Sequence, residues 1–250
     1  MRGNFKIPEI LYEDKYILIV NKPAGLIVQG AYKKEESFLD LIKSFIKERD
    51  KKPGNVFLGV VHRLDKLVSG ALILAKRSKI AKRLFESFQK KEVFKVYLSE
   101  VEGCLEGEGL WENYLLWDER KRKTLVFNNK KRQTKKAITY YFSLKASKKS
   151  KILLIPLTGR KHQLRAVLSK KGFPIVGDLK YGSKIKIKNG KAILLHALFL
   201  RFPHPMTKEN FEIIAPLPKY FSAKDLDKKL NLEFLNKILN RFGEVCCVSG

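Results

Sequence analysis

A single carboxylate follows an arginine-containing segment in the stretch VVHRLDKLVSGALILAK. Asp65 comes directly after His62, Arg63 and Leu64, and short apolar runs flank this segment on both sides. An acid in a loop between two strands is ordinarily a solvated turn residue or the partner of a cation. A carboxylate that is kept ionised can instead attack a carbon atom as a nucleophile. Asp65 is therefore a candidate catalytic residue if the chain supplies a partner for its charge.

The stretch TGRKHQLRAVLSKKG supplies a candidate partner. Its apolar residues recur at helical spacing and predict one buried stripe, formed by Leu164, Val167 and Leu168. His162 and Arg165 would lie off that stripe, toward another surface. From there the planar guanidinium of Arg165 could pair with Asp65 and keep it ionised. The alternative is an exposed arginine on a basic helix.

Tyr97 is a third candidate. Strict alternation in VFKVYLSEV predicts a strand with Phe94, Val96 and Leu98 on one face. Tyr97 would lie on the other, less apolar face beside Lys95. Its ring could be a platform on which a nucleobase stacks. The alternative is an ordinary tyrosine on an amphipathic surface.

The net charge indicates a polyanionic partner. The 250-residue chain has 52 Lys and Arg against 25 Asp and Glu, a formal charge of +27. Cations that neutralise phosphates release condensed counterions, which favours the binding of nucleic acid. Many of the basic residues form a cluster that could position RNA through its phosphates or be a solvated charged face. This basic cluster comprises Arg120, Lys121, Arg122, Lys123, Lys130, Lys131, Arg132, Lys135 and Lys136.

Composition also bears on compartment and cofactors. The three cysteines, Cys104, Cys246 and Cys247, make no disulfide framework, and the N-terminus lacks the apolar core of a signal peptide. Because no apolar run reaches the length of a membrane span, we expect a cytoplasmic protein without a membrane partner. The sequence has no P-loop motif and no metal-ligand spacing among its histidines and cysteines. We therefore expect neither a metal nor a cofactor.

Alternation and short apolar runs predict mostly strands. A strand pair precedes a turn at Pro23 and Gly25, and the basic stretch that ends in AITYYFSL closes in a strand. Further strands are predicted at VFKVYLSEV, VFLGVVH, GALILAK, KILLIPL, ILLHALFLRF and FEIIAPLP.

Helical spacing predicts four helices. The first two are ESFLDLIKSFIKER and SKIAKRLFESFQKK, the latter with Ser78 as its N-cap. The third is RKHQLRAVLSKKGFP, stopped by Gly172 and Pro174, and the fourth is the tail DLDKKLNLEFLNKILNRF. The tail has one apolar side, formed by Leu226, Leu230, Leu235, Ile238 and Phe242. Because strands outnumber helices and often follow one another directly, we predict an α+β fold with a largely antiparallel mixed sheet.

Several motifs together resemble the RluA family of RNA pseudouridine synthases. In chain order they are HRLD..VSG....AK, K.Y, GR.HQLR, G.PIVGD..YG and LHA..L.F.HP.T.E.....APLP, preceded by ILYEDKYILIVNKPAGLIVQ. They spread across roughly residues 10 to 218. The resemblance implies the pseudouridine synthase fold, with helices flanking the sheet and a central RNA-binding cleft. It also implies an enzyme that isomerises specific uridines of ribosomal or transfer RNA to pseudouridine.

The resemblance further implies roles for individual residues. Asp65 matches the catalytic nucleophile, and Arg165 matches the partner of that aspartate. Arg63 matches an arginine that enters the RNA where the target base leaves. Tyr97 matches an active-site tyrosine packed on the uracil. Other residues of the motifs are expected to bind the RNA or to line the pocket: His62, Leu64, Arg160, His162, Gln163, Ile175 and Val176.

The chain also departs from the family pattern. Val68 stands where threonine is usual, and Ala166-Val167 stands where valine and histidine are common. These departures bear on packing and RNA contacts, since they replace no residue assigned to the chemistry. We expect a catalytic domain over residues 1–218, of the type without an N-terminal S4 domain. Residues 219–250 are expected to form a C-terminal helical extension of unknown role.

Two chemical routes stay open for an ionised Asp65. It could attack the anomeric carbon, as the nucleophile of a retaining glycosidase does. It could instead remove a proton from the neighbouring sugar carbon to give a glycal, with Tyr97 assisting. Both routes leave the redox state unchanged and transfer no phosphate.

Two other functions compete with this one. A non-catalytic basic RNA-binding or ribosome-assembly factor would not need Asp65, Tyr97 and Arg165 together. A metal-dependent nuclease would need clustered carboxylates, which the sequence does not place near its histidines. We expect a monomer without an obligatory protein partner.

Overall fold

The computed structural model describes residues 8–30, 36–222 and 230–248, with side chains as far as residue 243 in the last stretch. Within these residues eleven strands form one sheet. The strands are β1 (Glu9–Glu13), β2 (Ile17–Lys22), β3 (Gly59–Val60), β4 (Ser69–Ala75), β5 (Phe94–Glu102), β6 (Glu108–Asp118), β7 (Lys123–Phe127), β8 (Lys135–Lys145), β9 (Lys149–Pro156), β10 (Leu195–Pro203) and β11 (Asn210–Ile214). The α-helices are α1 (Phe38–Arg49), α2 (Ser78–Gln89), α3 (Gln163–Lys170) and α4 (Leu232–Val248). No helix in the described part of the chain is long and apolar enough to cross a membrane.

The sheet has the order β1-β2-β4-β10-β5-β9-β8-β6-β7, with β3 paired to β4 and β11 paired to β10. Of the named strands, β4 and β10 pair in parallel, and the other pairs are antiparallel. The predicted α+β fold with a largely antiparallel mixed sheet is confirmed. The parallel pair sets Ser69 opposite His196 and so joins two of the sequence motifs at the middle of the sheet.

Strand β5 separates two parts of the core. Tyr97 and Val101 belong to one apolar cluster, whereas Val96 and Leu98 belong to another on the opposite face. This division follows from the two-residue period of a strand and confirms the alternation predicted for this segment. The first cluster includes residues of α1 and α3, and the second includes residues of α4.

The segment before Asp65 is less regular than the sequence predicts. Of the run VFLGVVH only Gly59–Val60 is a strand. Beyond β3, the backbone N–H of Ile73 in β4 donates to the side-chain Nε2 of His62 at 3.0 Å. A side-chain hydrogen bond therefore replaces the next backbone hydrogen bond between the two segments. The prediction of a longer strand is therefore wrong.

Two helix starts also differ from the predictions. Ser78 is the first residue of α2, and Arg77 is its N-cap, because the extended backbone ends one residue earlier than predicted. Helix α3 begins at Gln163, since His162 before it has a left-handed backbone conformation with φ of 52°. Arg160 to His162 are therefore a loop and not the first turn of the helix.

Two further differences concern strands and the tail. Strands β6 and β7, which hold Trp117 and part of the basic cluster, were not predicted as separate elements. Helix α4 begins at Leu232, and residues 223–229, with Leu226 of the predicted stripe, lie outside the described residues. Leu230, Leu235, Ile238 and Phe242 are buried, as the stripe predicts.

Candidate active site

A cleft of about 780 Å³ opens on the face of the sheet that carries Tyr97. Asp65 and Arg165 both line it. Among the described residues that line the cleft, Asp65 is the one acid, and seven residues are lysine or arginine. The cationic residues are Arg63, Lys66, Lys91, Lys95, Arg160, Lys161 and Arg165. Because opposite charges attract across a low-dielectric cleft, this lining favours an anionic ligand.

The loop that carries Asp65 is held by backbone hydrogen bonds at several points. Val68 N–H donates to the carbonyl of Asp65 at 3.0 Å and closes a tight turn. Gly25 N–H donates to the carbonyl of Lys66 at 2.7 Å, which fixes the loop to the turn after β2. Asp65 therefore sits on a loop with a defined backbone, although its side chain is 30 % exposed in the cleft.

Ser69 and Gly70, which follow this loop, explain why the motif VSG accompanies HRLD. The Ser69 hydroxyl lies 2.9 Å from Nδ1 of the buried His196 in β10. Gly70 has φ of +119°, and a Cβ atom there would lie 2.3 Å from the carbonyl oxygen of Ala197. Only glycine lets β4 approach β10 this closely. Two motifs far apart in sequence thus form one contact that anchors the Asp65 loop.

Arg165 connects Asp65 to a second acid, Asp178. Its Nε donates to Oδ2 of Asp178 at 2.7 Å and its Nη2 donates to Oδ1 at 2.9 Å. Its Nη1 donates to Oδ2 of Asp65 at 3.2 Å. Burial opposes the charge on Arg165, but the hydrogen bonds and charge of Asp178, aided by Asp65, outweigh it and raise the Arg165 pKa above its ordinary value. The pairing of Asp65 with Arg165 follows the sequence prediction.

His162 and Tyr181 form a second layer beside this pair. Tyr181 Oη accepts a hydrogen bond from the Thr124 N–H at 2.8 Å and lies 2.9 Å from Nδ1 of His162. The phenol proton can then go to Nδ1, which leaves Nε2 as the protonated nitrogen, 3.8 Å from Oδ2 of Asp65. Burial lowers the pKa of His162 to about 4, although the charge of Asp65 acts in the opposite direction.

Lys22 is a buried cation near Asp65 that the sequence did not single out. Its Nζ donates to the carbonyls of Pro23 at 2.8 Å and Leu26 at 2.9 Å. Burial lowers the pKa of Lys22 to about 7, and the charge of Asp65 counteracts this shift. Sequence reasoning also assigned no role to Asp178 or Tyr181. Lys22 lies in the motif NKPAG, and Asp178 and Tyr181 lie in G.PIVGD..YG. Membership in these motifs is the sequence signal that could have identified all three as site residues.

Tyr97 lines the cleft and is only 9 % exposed. Burial, and then the negative charge of Asp65, raise the pKa of the Tyr97 phenol above its ordinary value. The phenol therefore stays protonated at neutral pH. The side chain forms part of the cleft floor next to Asp65.

The other residues of HRLD have different surroundings. His62 stacks on Phe88 with ring centroids 5.1 Å apart, and burial, with Lys95 contributing, lowers its pKa to about 3. Because its Nε2 accepts from Ile73, His62 holds the loop to β4. Leu64 is buried in the core beneath the cleft, whereas Arg63 is exposed at its surface. The structure thus leaves Arg63 available to a ligand.

Gln163 and Arg160 stabilise the loop before α3. The Gln163 amide donates to the Ile138 carbonyl and to Thr139 Oγ1, both at 3.0 Å. Its oxygen accepts from Thr158 Oγ1 at 2.8 Å and from the Arg160 N–H at 3.1 Å. The amide of Gln163 therefore makes its hydrogen bonds within the protein, and these bonds hold the loop before α3 in place. The exposed Arg160 side chain donates to a backbone carbonyl of β8 at 3.0 Å.

Ile175 and Val176 were predicted to line the pocket, but they are not among the residues that line the cleft. Ile175 is fully buried and pairs with Val101 in an isolated bridge. Val176 N–H donates to the carbonyl of Glu100 at 2.9 Å. These backbone bonds fix the segment against β5, inside the core, and the place of these two residues in the pocket wall stays a prediction.

Comparison with known proteins places the chain in a family. A family model described as RNA pseudouridylate synthase matches residues 16–170, more than half of the chain. The chain belongs to the RNA pseudouridylate synthase family. The resemblance found in the motifs is thereby confirmed.

Individual relatives agree with this assignment. The chain is 37% identical over 223 residues to the ribosomal large subunit pseudouridine synthase C of Buchnera aphidicola, covering 86% of this chain and 68% of the relative. It is 34% identical over 230 residues to the tRNA pseudouridine synthase C of Haemophilus influenzae, covering 84% and 92%. The solved structure of human RNA pseudouridylate synthase domain containing 1 matches with a TM-score of 0.70 and 26% identity, covering 96% and 97%. The pseudouridine synthase fold is therefore shown.

Proposed function

We propose that this enzyme isomerises uridines of ribosomal or transfer RNA, with Asp65 as the nucleophile on a flipped-out uridine. The single observation that carries the proposal is the ion pair of Asp65 with Arg165, whose guanidinium is fixed by the buried Asp178. A carboxylate that accepts a hydrogen bond from a rigidly held guanidinium is oriented by it, here at the cleft. The names of the relatives support ribosomal or transfer RNA as the substrate class.

The remaining site residues have roles that suit this reaction. Arg63, exposed at the cleft surface, would enter the RNA stack as the target base leaves it. Tyr97 would contact the uracil from the cleft floor, and Leu64 would help to exclude water from the detached base. His162 would orient the carboxylate of Asp65 through its protonated Nε2. In the route through the anomeric carbon the Asp65 carboxylate is the nucleophile, as proposed, whereas in the route through a glycal the same carboxylate would act as a base.

We also propose that the enzyme acts in the cytoplasm as a monomer without an obligatory protein partner. The exposed free thiol of Cys104 supports a reducing compartment. A formal charge of +27 supports a monomer, because like charges oppose self-association.

The test compares RNA from three kinds of cells: cells that lack the protein, cells with the wild type and cells with Asp65→Asn. Pseudouridines in total RNA are mapped by carbodiimide labelling. We expect specific sites to disappear without the protein, to return with the wild type and to stay absent with Asp65→Asn. Retention of every site in all three, in cells without a redundant relative, would overturn the proposal in favour of a non-catalytic RNA-binding protein. Loss in the deletion and return with Asp65→Asn would assign the nucleophile to another residue.

A further inference from the structure

Helix α2 forms a wall of the cleft that the proposed reaction does not use. Phe85 lines this wall together with Phe88 and Gln89 and is 52 % exposed. These residues lie three and four positions apart, so they share one face of the helix. An exposed aromatic ring inside a cleft offers a flat apolar surface to a ligand, and base stacking on such rings is common in proteins that bind single strands.

The basic residue Lys95 lies beside this wall. Lys95 is two residues before Tyr97 in β5, so both side chains project from the same face of the strand toward the cleft. Its Nζ is 5.6 Å from the centroid of the Phe88 ring. Within the described part of the chain, no carboxylate forms an ion pair with Lys95, and burial lowers its pKa. A half-buried ammonium group in this position gains most from an anionic ligand.

Phe85 and Lys95 together match the two chemical groups of a nucleotide. An unpaired base has a flat face that can stack on Phe85, and its phosphate can pair with Lys95. Seven lysines and arginines and one acid line the cleft in the described part of the chain, so a ligand with phosphates is favoured over a neutral apolar peptide. An acidic peptide would supply the negative charge but not a base that stacks on Phe85. Tyr97 lies on the same strand face as Lys95, so a nucleotide at Lys95 would be next to the one at Asp65.

We propose that the α2 wall of the cleft is a second nucleotide subsite, in which an unpaired base beside the target uridine stacks on Phe85 and its phosphate pairs with Lys95. The proposal rests on the proposed function, because the position of the target uridine is defined by Asp65. It deepens that function by restricting the substrate to RNA whose target uridine has an unstacked neighbour, as in a loop or bulge.

Equilibrium binding of a labelled single-stranded RNA tests the stacking contact. The probe is a short run of adenosines with one central uridine, and the protein is the full chain in an Asp65→Asn background so that turnover does not alter the RNA. We expect Phe85→Ala to weaken binding about 5- to 100-fold. Phe57→Ala is the matched control, because Phe57 is 51 % exposed but does not line the cleft, and it should leave Kd unchanged.

A second set of probes assigns the loss to a base. Each probe lacks the base at one position beside the uridine while keeping the ribose and phosphate. When the base at the subsite position is removed, Phe85→Ala and the parent protein should bind the probe with the same Kd. The proposal is overturned if Phe85→Ala binds like Phe57→Ala, or if its loss persists with every abasic probe.

The salt dependence of binding tests Lys95. Lys95→Met should reduce the slope of log K against log salt by about 0.7, the value for one phosphate of a single strand. Lys95→Arg keeps the charge and should keep the slope. An unchanged slope for Lys95→Met would remove the phosphate contact from the proposal and overturn it in this form.

The two proposals fail in different ways. In one outcome the wild type forms no pseudouridine, but Phe85→Ala weakens binding and one abasic probe abolishes this loss. The proposed function is then wrong, and the subsite is a nucleotide site of a binding protein. In the other outcome pseudouridine forms normally, but no abasic probe abolishes an effect of Phe85→Ala on binding. Only the proposed subsite is then wrong. The binding titration and the carbodiimide map therefore give separate answers.

Discussion

Arg165 donates two hydrogen bonds to Asp178, at 2.7 and 2.9 Å, and one longer hydrogen bond to Asp65, at 3.2 Å. Asp178 is completely buried, whereas the Asp65 side chain is 30 % exposed. The bidentate pair fixes the plane of the guanidinium, and the remaining N–H edge faces the cleft. Asp178 therefore orients the guanidinium that contacts Asp65, and we expect it to act as a positioning residue.

Asp178→Asn should lower the rate of pseudouridine formation about 100-fold while the Kd for RNA changes little. An amide cannot accept both hydrogen bonds from Arg165, so the guanidinium loses its orientation, and small misplacements of reacting groups have effects of this size. Single-turnover rates and equilibrium binding measured on the same RNA separate the two quantities.

Two further variants control this experiment. Asp178→Glu keeps the charge and should recover part of the rate, provided that urea unfolding shows both Asp178 variants to be folded. Asp118→Asn removes an acid that accepts a hydrogen bond from the Lys121 N–H in a turn, and it should have no effect on the rate. Equal rates for Asp178→Asn and Asp118→Asn would contradict a positioning role for Asp178.

The ring of Tyr97 should matter more than its hydroxyl. Burial and Asp65 raise the pKa of the phenol, so it is a poor general base at neutral pH. We expect Tyr97→Phe to retain pseudouridine formation within about tenfold and Tyr97→Ala to lose more than about 100-fold, measured as single-turnover rates. A loss of 100-fold or more in Tyr97→Phe would instead indicate that the hydroxyl transfers a proton, as in the glycal route.

The sequence predicted those parts of the site that depend on motif residues and periodicity. Alternation in β5 assigned Tyr97 and Val96 to opposite faces, and both assignments hold. The helical stripe of α3 placed Arg165 away from its apolar residues, which is the side where Asp65 lies. These features are local, because the two-residue and 3.6-residue periods fix the faces of single elements.

The sequence did not predict contacts that depend on how distant segments meet. Asp178 is an ordinary acid in a loop until the fold sets it against Arg165, thirteen positions earlier in the chain. Ile175 and Val176 are apolar in either location, so their composition could not distinguish a pocket wall from the core. The left-handed backbone of His162 makes α3 shorter than predicted. Helix propensity could not predict this, because the ring of His162 contacts Tyr181 and Trp117, which are distant in sequence.

His196 should contribute to a fall in the stability of the protein between pH 7 and pH 5. Its Nε2 faces the carbonyl of Ala215 at 3.2 Å and its Nδ1 faces Ser69 at 2.9 Å, so the neutral ring satisfies both contacts. Burial lowers the pKa of His196 to about 4 from its ordinary 6.5. Since the unfolded chain binds a proton first as the pH falls, this contribution is complete above pH 6.5 and is lost toward pH 4.

Urea unfolding at the two pH values measures this contribution. We expect His196 alone to account for a decrease of about 2 kcal/mol in the free energy of unfolding from pH 7 to pH 5. His196→Gln should be less stable at pH 7 but should show a decrease that is smaller by about this amount. The same pH dependence in both proteins would show that His196 is not responsible.

The C-terminal helix α4 should be part of the catalytic domain and not a separate extension. Leu235 in α4 is fully buried, and it belongs to the same cluster as Val96 and Leu98 of β5, the strand that carries Tyr97. Leu235→Ala should therefore lower the free energy of unfolding by about 2–5 kcal/mol in urea titrations. Leu232→Ala in the same helix, where the side chain is 44 % exposed, is the matched control and should be neutral. If the two variants unfold at the same urea concentration, Leu235 does not join α4 to the core of the catalytic domain, which would contradict this prediction.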